Sequence, residues 1–321
     1  MKSKNPIGIK YLTPSLLEKY KDFVSPYGDT LESINKEGFT HKDSHIGLNI
    51  GDAKSYEYFE DYFEAVLSEL HPKINNFEGD NFDNTLLLGK TNSYRVRLAR
   101  NIQGFPLPSA MNRQQRVDLL KLVKKSIDDL NIEFLYKSYE SDENSFQDLP
   151  SWYFFTKGDS FYDTSGLNND WPLGRAVFYF KELSCVIWVG EEDHLRIFCH
   201  QDEGDFLQTY KNAIFLAESL EKKLGFYHSN NLAYLTTCPT NLGTGMRISI
   251  HYKLPESTSI EEVKKMASNY DLSIRGTHGE RSDTLGGIID ISNSYRHGRD
   301  PLALFTLTWQ SICELIKKIE S

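Results

Sequence analysis

Apolar residues in the stretch SYEYFEDYFEAVLSEL, Ser55 to Leu70, recur at Phe59, Tyr62, Phe63, Val66, Leu67 and Leu70, with acids on the opposite side. That spacing predicts an amphipathic helix, and roughly the first 70 residues read as helical. The polar run HPKINNFEGDNFDN, His71 to Asn84, then predicts a linker. Further helices are predicted from Arg113 to Leu130 behind Asn112, from Phe206 to Leu224 ahead of Gly225, and from Ile260 to Tyr270. A last one runs from Pro301 to Ile319, where Asp300 caps and Pro301 fits the first turn.

Between the helices the period changes to two, and four segments carry arginine on one face. In SYRVRLA, Arg95 and Arg97 alternate with Tyr94, Val96 and Leu98. The segment SCVIWVGEEDHLRIFCH, Ser184 to His200, predicts a hairpin that turns at GEED, Gly190 to Asp193. Its return strand sets His194, Arg196 and Phe198 against Leu195, Ile197 and Cys199. GMRISIHYKLP sets Arg247, Ser249 and His251 against Met246, Ile248, Ile250 and Tyr252. LSIRG delivers Arg275 to a glycine-rich loop, RGTHGERSDTLGG, Arg275 to Gly287.

Composition narrows the class. With 39% hydrophobic residues among 321, the chain can bury a large core, and its 25% charge is ordinary for a globular surface. A net charge of −9 and a pI near 5.5 argue against broad adhesion to nucleic acid or anionic membrane. No apolar run approaches the roughly 18 residues of a membrane span. The opening MKSKNPIGIKYL has no signal-type apolar region, so a cytoplasmic location is expected. The cysteines, Cys185, Cys199, Cys238 and Cys313, show no metal or disulfide-framework spacing, and reduced thiols are expected.

A sheet with several arginines on one face repels itself unless a polyanion sits there. Arginine suits that task, because its planar fork grips phosphate oxygens and keeps its proton. A triphosphate site is therefore expected, although neither glycine-rich phosphate-loop pattern is present. Glu191, Glu192 and Asp193 at the hairpin turn would lie near it, placed to order magnesium waters or hold a cationic acceptor. A single strand arginine is ordinarily a surface charge worth under about 1 kcal/mol. Four such strands together carry more weight.

The segments CPTNLGTGMR (Cys238 to Arg247), EEDHLRI (Glu191 to Ile197), YRVRLAR (Tyr94 to Arg100) and RGTHGE (Arg275 to Glu280) together resemble the phosphagen kinases, which phosphorylate guanidino compounds from ATP. The resemblance runs in family order from about Asp43 to near the C-terminus, and the nearest pattern is that of arginine kinases. It implies an α+β fold: a small all-α N-terminal domain, residues 1–75, carrying a guanidino-specificity loop, and a catalytic domain, residues 76–321, with a mostly antiparallel sheet flanked by helices. It implies ATP phosphates held by Arg95, Arg97, Arg196, Arg247 and Arg275, with Ser93, Trp152 and His251 also at the nucleotide. Magnesium would be held by phosphates and water, with Glu191 at most reaching it through water. Glu192 and Glu280 would grip the acceptor guanidinium and Cys238 would face it as a thiolate. Ser44, His45, Ile46, Gly47 and Asn49 would receive the rest of the acceptor. The loop from Arg275 to Gly287 would close as a lid.

Some positions depart from the arginine-kinase pattern: Trp152 stands at a histidine, His278 at an arginine, Arg281 at a histidine, His45 at a glycine and Asn49 at a tyrosine. The expected reaction is reversible transfer of the ATP γ-phosphoryl group to a small guanidino acceptor, L-arginine first, by a monomer. Taurocyamine or another guanidino acceptor, a protein arginine, and nucleotide binding without catalysis are the competing readings.

Overall fold

A computed structural model describes residues 5–71, 91–141, 153–202, 205–256, 258–276 and 287–321. Ten-residue strand β1 (Thr91–Arg100) lies centrally in an eight-stranded antiparallel sheet. Around it stand β2 (Leu135–Ser138), β3 (Ala176–Phe180), β4 (Cys185–Val189), β5 (Leu195–Gln201), β8 (Met246–Lys253), β9 (Leu272–Gly276) and β10 (Ile288–Asn293). The order across the sheet is β2-β3-β4-β5-β1-β8-β10-β9. A two-stranded ribbon, β6 (His228–Ser229) and β7 (Ala233–Tyr234), stands apart.

One face of the sheet is the core. Val96, Leu98, Ile197, Met246, Ile248, Ile250, Ile289 and Ile291 are fully buried there against helices α7 (Arg113–Asp128), α9 (Phe206–Leu224) and α11 (Pro301–Glu320). Each such side chain stabilises the fold by about 1.5–3 kcal/mol. The helices begin where local chemistry satisfies their free N–H groups. Asn112 and Gln115 form a reciprocal capping pair, Asp205 accepts from Leu207 and Gln208 N–H, and Asp300 accepts from Ala303 N–H ahead of Pro301. The alternation read from the strands thus turns the arginines to the opposite face. Helix α10 (Ile260–Ala267), also capped by a reciprocal pair, Ser259 and Glu262, ends earlier than expected, and Ser268–Tyr270 tightens into a 3₁₀ turn.

The N-terminal region is helical in short pieces: α1 (Ile7–Tyr11), α2 (Pro14–Tyr20), α3 (Leu31–Ile34) and α4 (Lys36–Thr40). The helix expected from Ser55 to Leu70 is broken in two, α5 (Ser55–Tyr58) and α6 (Glu60–Leu70). The break falls at Phe59, whose backbone leaves the helical region while its side chain is fully buried. Packing outweighs local continuity there. The cluster around Phe59, Tyr62, Phe63 and Val66 also takes in Leu107, Leu235 and Leu242, so the helical region is seated on the sheet region. Of the predicted linker only His71 is described; the rest lies outside the described residues.

Cys185 and Cys199 correct the expectation of reduced thiols. They face one another in register across β4 and β5 and are joined as a disulfide. The predicted hairpin already sets their two strands side by side, and the register decides that the two face one another. Among the described residues no helix is long and apolar enough to cross a membrane.

Candidate active site

The four arginine-bearing strands lie side by side in the sheet, with β10 inserted between β8 and β9. Register places Arg97 directly opposite Arg247, Arg95 opposite Ser249, and Ser93 opposite His251. Ser93 Oγ and His251 Nδ1 are 2.8 Å apart. Like charges facing each other across a strand pair are destabilising. β10 relieves part of the repulsion: Asp290 accepts from Arg247 Nη2 at 2.6 Å. Arg95, Arg97 and Arg296 have no carboxylate partner among the described residues, and Arg95 Nε is buried without a hydrogen bond. Burial, then Arg196, Arg247 and Arg296, hold the Arg97 guanidinium well below its ordinary pKa. Burial and the neighbouring Arg247 and Arg275 lower Arg296 to about 10. The face is a stack of cations short of counter-charge.

The β4–β5 turn supplies the acids. Arg196 reaches Glu191 at 2.9 Å and Glu192 at 3.0 Å. Burial works against the Arg196 charge, but the two carboxylates carry its pKa above the ordinary value. Glu192 Oε2 also accepts from Asn241 Nδ2 at 3.0 Å. Burial pushes the Glu192 carboxyl up to about 7, with Arg196 holding it back. Glu191 accepts from the Tyr162 hydroxyl at 3.3 Å. Asp193, unlike its two neighbours, is 0% exposed and makes no ion pair among the described residues. It accepts from Asn101 Nδ2 at 2.7 Å and from Thr237 N–H at 2.8 Å. Asp193 therefore ties the end of β1 to the loop that carries Cys238.

That loop is fixed from three directions. The Thr236 hydroxyl donates to Cys238 O at 2.7 Å, and Pro239–Asn241 form a 3₁₀ turn. Arg296 Nη1 donates to Thr240 O at 2.6 Å. Gly243, at φ +97°, lies so close to the backbone at Arg296 and His297 that a Cβ would approach Arg296 O to 2.4 Å. From the helical region, Tyr56 donates to Thr236 O at 2.8 Å and Ile50 N–H to Thr237 O at 2.9 Å. The Cys238 thiol lies 3.1 Å from Thr240 Oγ1. Burial, then the Glu192 charge, push it up to about 12. A cation between the two groups would reverse that balance.

A cavity of about 560 Å³ is lined among others by Arg97, Arg275, Arg296, Glu192, Asn241, His45 and Ile46, while Arg95, Arg196, Arg247, Ser93, His251 and Cys238 are not on its wall. Ser44, Gly47 and Asn49 do not line it; Asn49 faces a separate cavity with Asp29, Ser33 and Lys36. Trp152, His278, Glu280 and Arg281 lie outside the described residues. Sequence reasoning missed Arg296, Asp290 and Asn241. Asn241 was visible inside CPTN and Asp290 as the lone acid of a strand pattern, but Arg296 sits in a loop with no period to betray it.

A family model described as ATP:guanido phosphotransferase, C-terminal catalytic domain, matches residues 118–320, and its N-terminal counterpart matches residues 2–68. The chain is 32% identical to arginine kinase 1 of Drosophila melanogaster, over 96% of this chain and 91% of that relative. It is 33% identical to an arginine kinase of Anthopleura japonica, over 90% of this chain but only 43% of that longer relative. Among solved structures, the substrate-free duplicated taurocyamine kinase from Schistosoma mansoni superposes with a TM-score of 0.87 at 27% identity. That match covers 100% of this chain and 48% of the other.

Proposed function

The chain belongs to the ATP:guanido phosphotransferase family, and on that premise we propose that it transfers the γ-phosphoryl group of MgATP reversibly to L-arginine, giving phosphoarginine and ADP. The observation that carries the proposal is the single cavity in which Arg97, Arg275 and Arg296 stand at Glu192, with His45 and Ile46 also on its wall. Guanidinium groups suit phosphate oxygens, a carboxylate suits a guanidinium, and a loop suits the far end of the acceptor.

Phosphoryl transfer passes through a loose transition state, so alignment and charge stabilisation do most of the work. Arg95, Arg97, Arg196, Arg247 and Arg275 hold the phosphates, and Arg296 joins them. Magnesium arrives with the nucleotide, coordinated by phosphate and water; Glu191 is already engaged by Arg196 and Tyr162. Glu192, with Glu280, fixes the guanidinium so that one nitrogen points along the breaking P–O bond; such positioning supplies up to about 7–11 kcal/mol in favourable systems. As the N–P bond forms, that nitrogen sheds a proton and the P–O bond to ADP breaks. Glu192, raised to about 7, is suited to take the proton. Cys238 becomes a thiolate only when the guanidinium lies against it.

Taurocyamine is the second reading, favoured by the Schistosoma structure and by His45 and Asn49, which depart from the arginine-kinase pattern. Incubation of MgATP with arginine, taurocyamine and other guanidino acceptors, followed by phosphorus NMR, tests both. A P–N resonance with arginine supports the first reading, and one with taurocyamine alone supports the second. No resonance with any acceptor rejects phosphagen kinase activity.

A further inference from the structure

Next to the active-site cavity lies a second one of about 580 Å³, and the two share no described lining residue. The last turn of α6 is part of the partition: Glu69 and Leu70 line the active-site cavity, Ser68 and His71 the other. Residues 296 and 297 divide the same way, Arg296 on the first and His297 on the second. The second cavity therefore sits in the seam between the helical region and the sheet region. A concave space of that size at such a seam, with an apolar floor and a few polar groups, has the usual form of a small-molecule site.

Its floor is apolar: Phe63 and Leu67 of α6 and Leu232, from the turn of the β6–β7 ribbon, pack in one hydrophobic cluster. Its rim is acidic. Glu57, Glu60 and Glu64 follow one another at helical spacing along α5 and α6, all three are exposed, and none makes an ion pair among the described residues. No lysine or arginine is among the described residues that line the cavity. Where α6 ends, His71 and His297 stand with ring centroids 5.6 Å apart. His71 Nε2–H donates to Pro239 O at 2.8 Å, so the bare ring nitrogen is Nδ1, which is buried without a partner. Burial first, then the neighbouring His297 and Arg296, lower His71 to about 4, so it stays neutral and adds no repulsion toward a bound cation.

We propose that this cavity is a second ligand site, for a protonated amine on an apolar body, and that the Cys238 turn feels its occupancy through His71. The charge goes to the rim carboxylates and the body to the floor of Phe63, Leu67 and Leu232. Two links lead from the cavity to the turn. His71 holds Pro239 O, and His297 adjoins Arg296, which donates to Thr240 O at 2.6 Å and also lines the active-site cavity. Pro239 follows Cys238 directly, so a ligand that shifts the His71 ring moves the turn that carries the thiol. The inference does not rest on the phosphotransferase reading.

Calorimetry on the full chain with tryptamine, its neutral isostere tryptophol and the anion indole-3-acetate tests the site in the wild type, the double variant Glu60→Gln with Glu64→Gln, Glu192→Gln and His71→Ala. We expect saturable binding of tryptamine with a dissociation constant on the order of 1 mM or tighter. The double variant and tryptophol should each weaken binding about 5- to 10-fold, as loss of partly screened charge pairs does, and indole-3-acetate should not bind. Glu192→Gln and saturating MgADP should leave tryptamine binding unchanged. No saturable binding, equal affinity for amine and alcohol, no effect of the double substitution, or loss of binding with Glu192→Gln or MgADP would overturn the site. The rate of Cys238 alkylation by iodoacetamide, followed by peptide mass spectrometry, reads the turn. Saturating tryptamine should change that rate in the wild type and leave it unchanged in His71→Ala, which should still bind the amine because Nδ1 is buried away from the ligand. A wild-type rate indifferent to tryptamine, an undiminished response in His71→Ala, or loss of binding in that variant would overturn His71 as the relay.

Discussion

Replacing Glu192 by glutamine removes one negative charge while keeping shape and most hydrogen-bonding capacity. Glu192 Oε2 sits 3.0 Å from both Arg196 Nη2 and Asn241 Nδ2. Arg196 keeps Glu191 at 2.9 Å, so the substitution does not orphan the arginine and the fold should lose at most about 1 kcal/mol. The acceptor guanidinium, by contrast, loses a charge-assisted partner in a partly buried site. Breaking such a pair costs about 3–5 kcal/mol, and screening through the open cavity puts the loss at the lower end, about 3 kcal/mol. At 1.36 kcal/mol per tenfold that is on the order of a 100-fold fall in kcat/KM for the acceptor. Steady-state kinetics with arginine and taurocyamine read that number, and nucleotide titration reads the control: MgATP affinity should hold or improve, because Arg196 has one carboxylate fewer. The pH dependence supplies a second check. Below about pH 7 Glu192 takes a proton and stops attracting the guanidinium, so acceptor kcat/KM in the wild type falls on the acid side of 7. The glutamine variant should lack that limb. The stability sign runs the other way: a carboxyl raised in the folded protein binds its proton more tightly there, so its contribution weakens as pH rises from about 4 to 7. A loss under about fivefold, an equal loss of MgATP affinity, or an unchanged acid limb would refute the assignment.

Arg97→Met should raise the melting temperature of the nucleotide-free protein, because it removes a half-buried cation facing Arg247, and should weaken MgATP binding at least 10-fold; thermal shift with and without MgADP reads both, and a lower melting temperature would contradict the repulsion argument. Alkylation of Cys238 by iodoacetamide in the free protein should follow a midpoint well above the ordinary thiol range, since burial and Glu192 raise it to about 12; a midpoint near neutrality would show a resident thiolate instead. Gly243→Ala should destabilise the protein by more than about 1 kcal/mol and depress activity together, because the new Cβ at φ +97° meets the Arg296 backbone; denaturant unfolding in parallel with turnover checks it, and a neutral variant would mean that the loop yields.

Local pattern determined a good deal. Strict alternation in SYRVRLA and GMRISIHYKLP placed the arginines on one face because side chains on a strand must alternate, and caps at Asn112 and Asp300 marked helix starts because unpaired N–H groups need acceptors. The motif CPTNLGTGMR and its partners carried the family resemblance, because several specific local patterns recur in one order along the chain. Tertiary structure decided what depends on distance across the chain. It put β10, with Asp290, between β8 and β9, broke the helix at Phe59 to bury its ring, turned Asp193 inward to hold Thr237, and brought Arg296 up to Thr240. It also set the direction of the Cys238 pKa, upward in the free protein, because proton affinity depends on burial and neighbouring charge, neither of which is written in the order of residues.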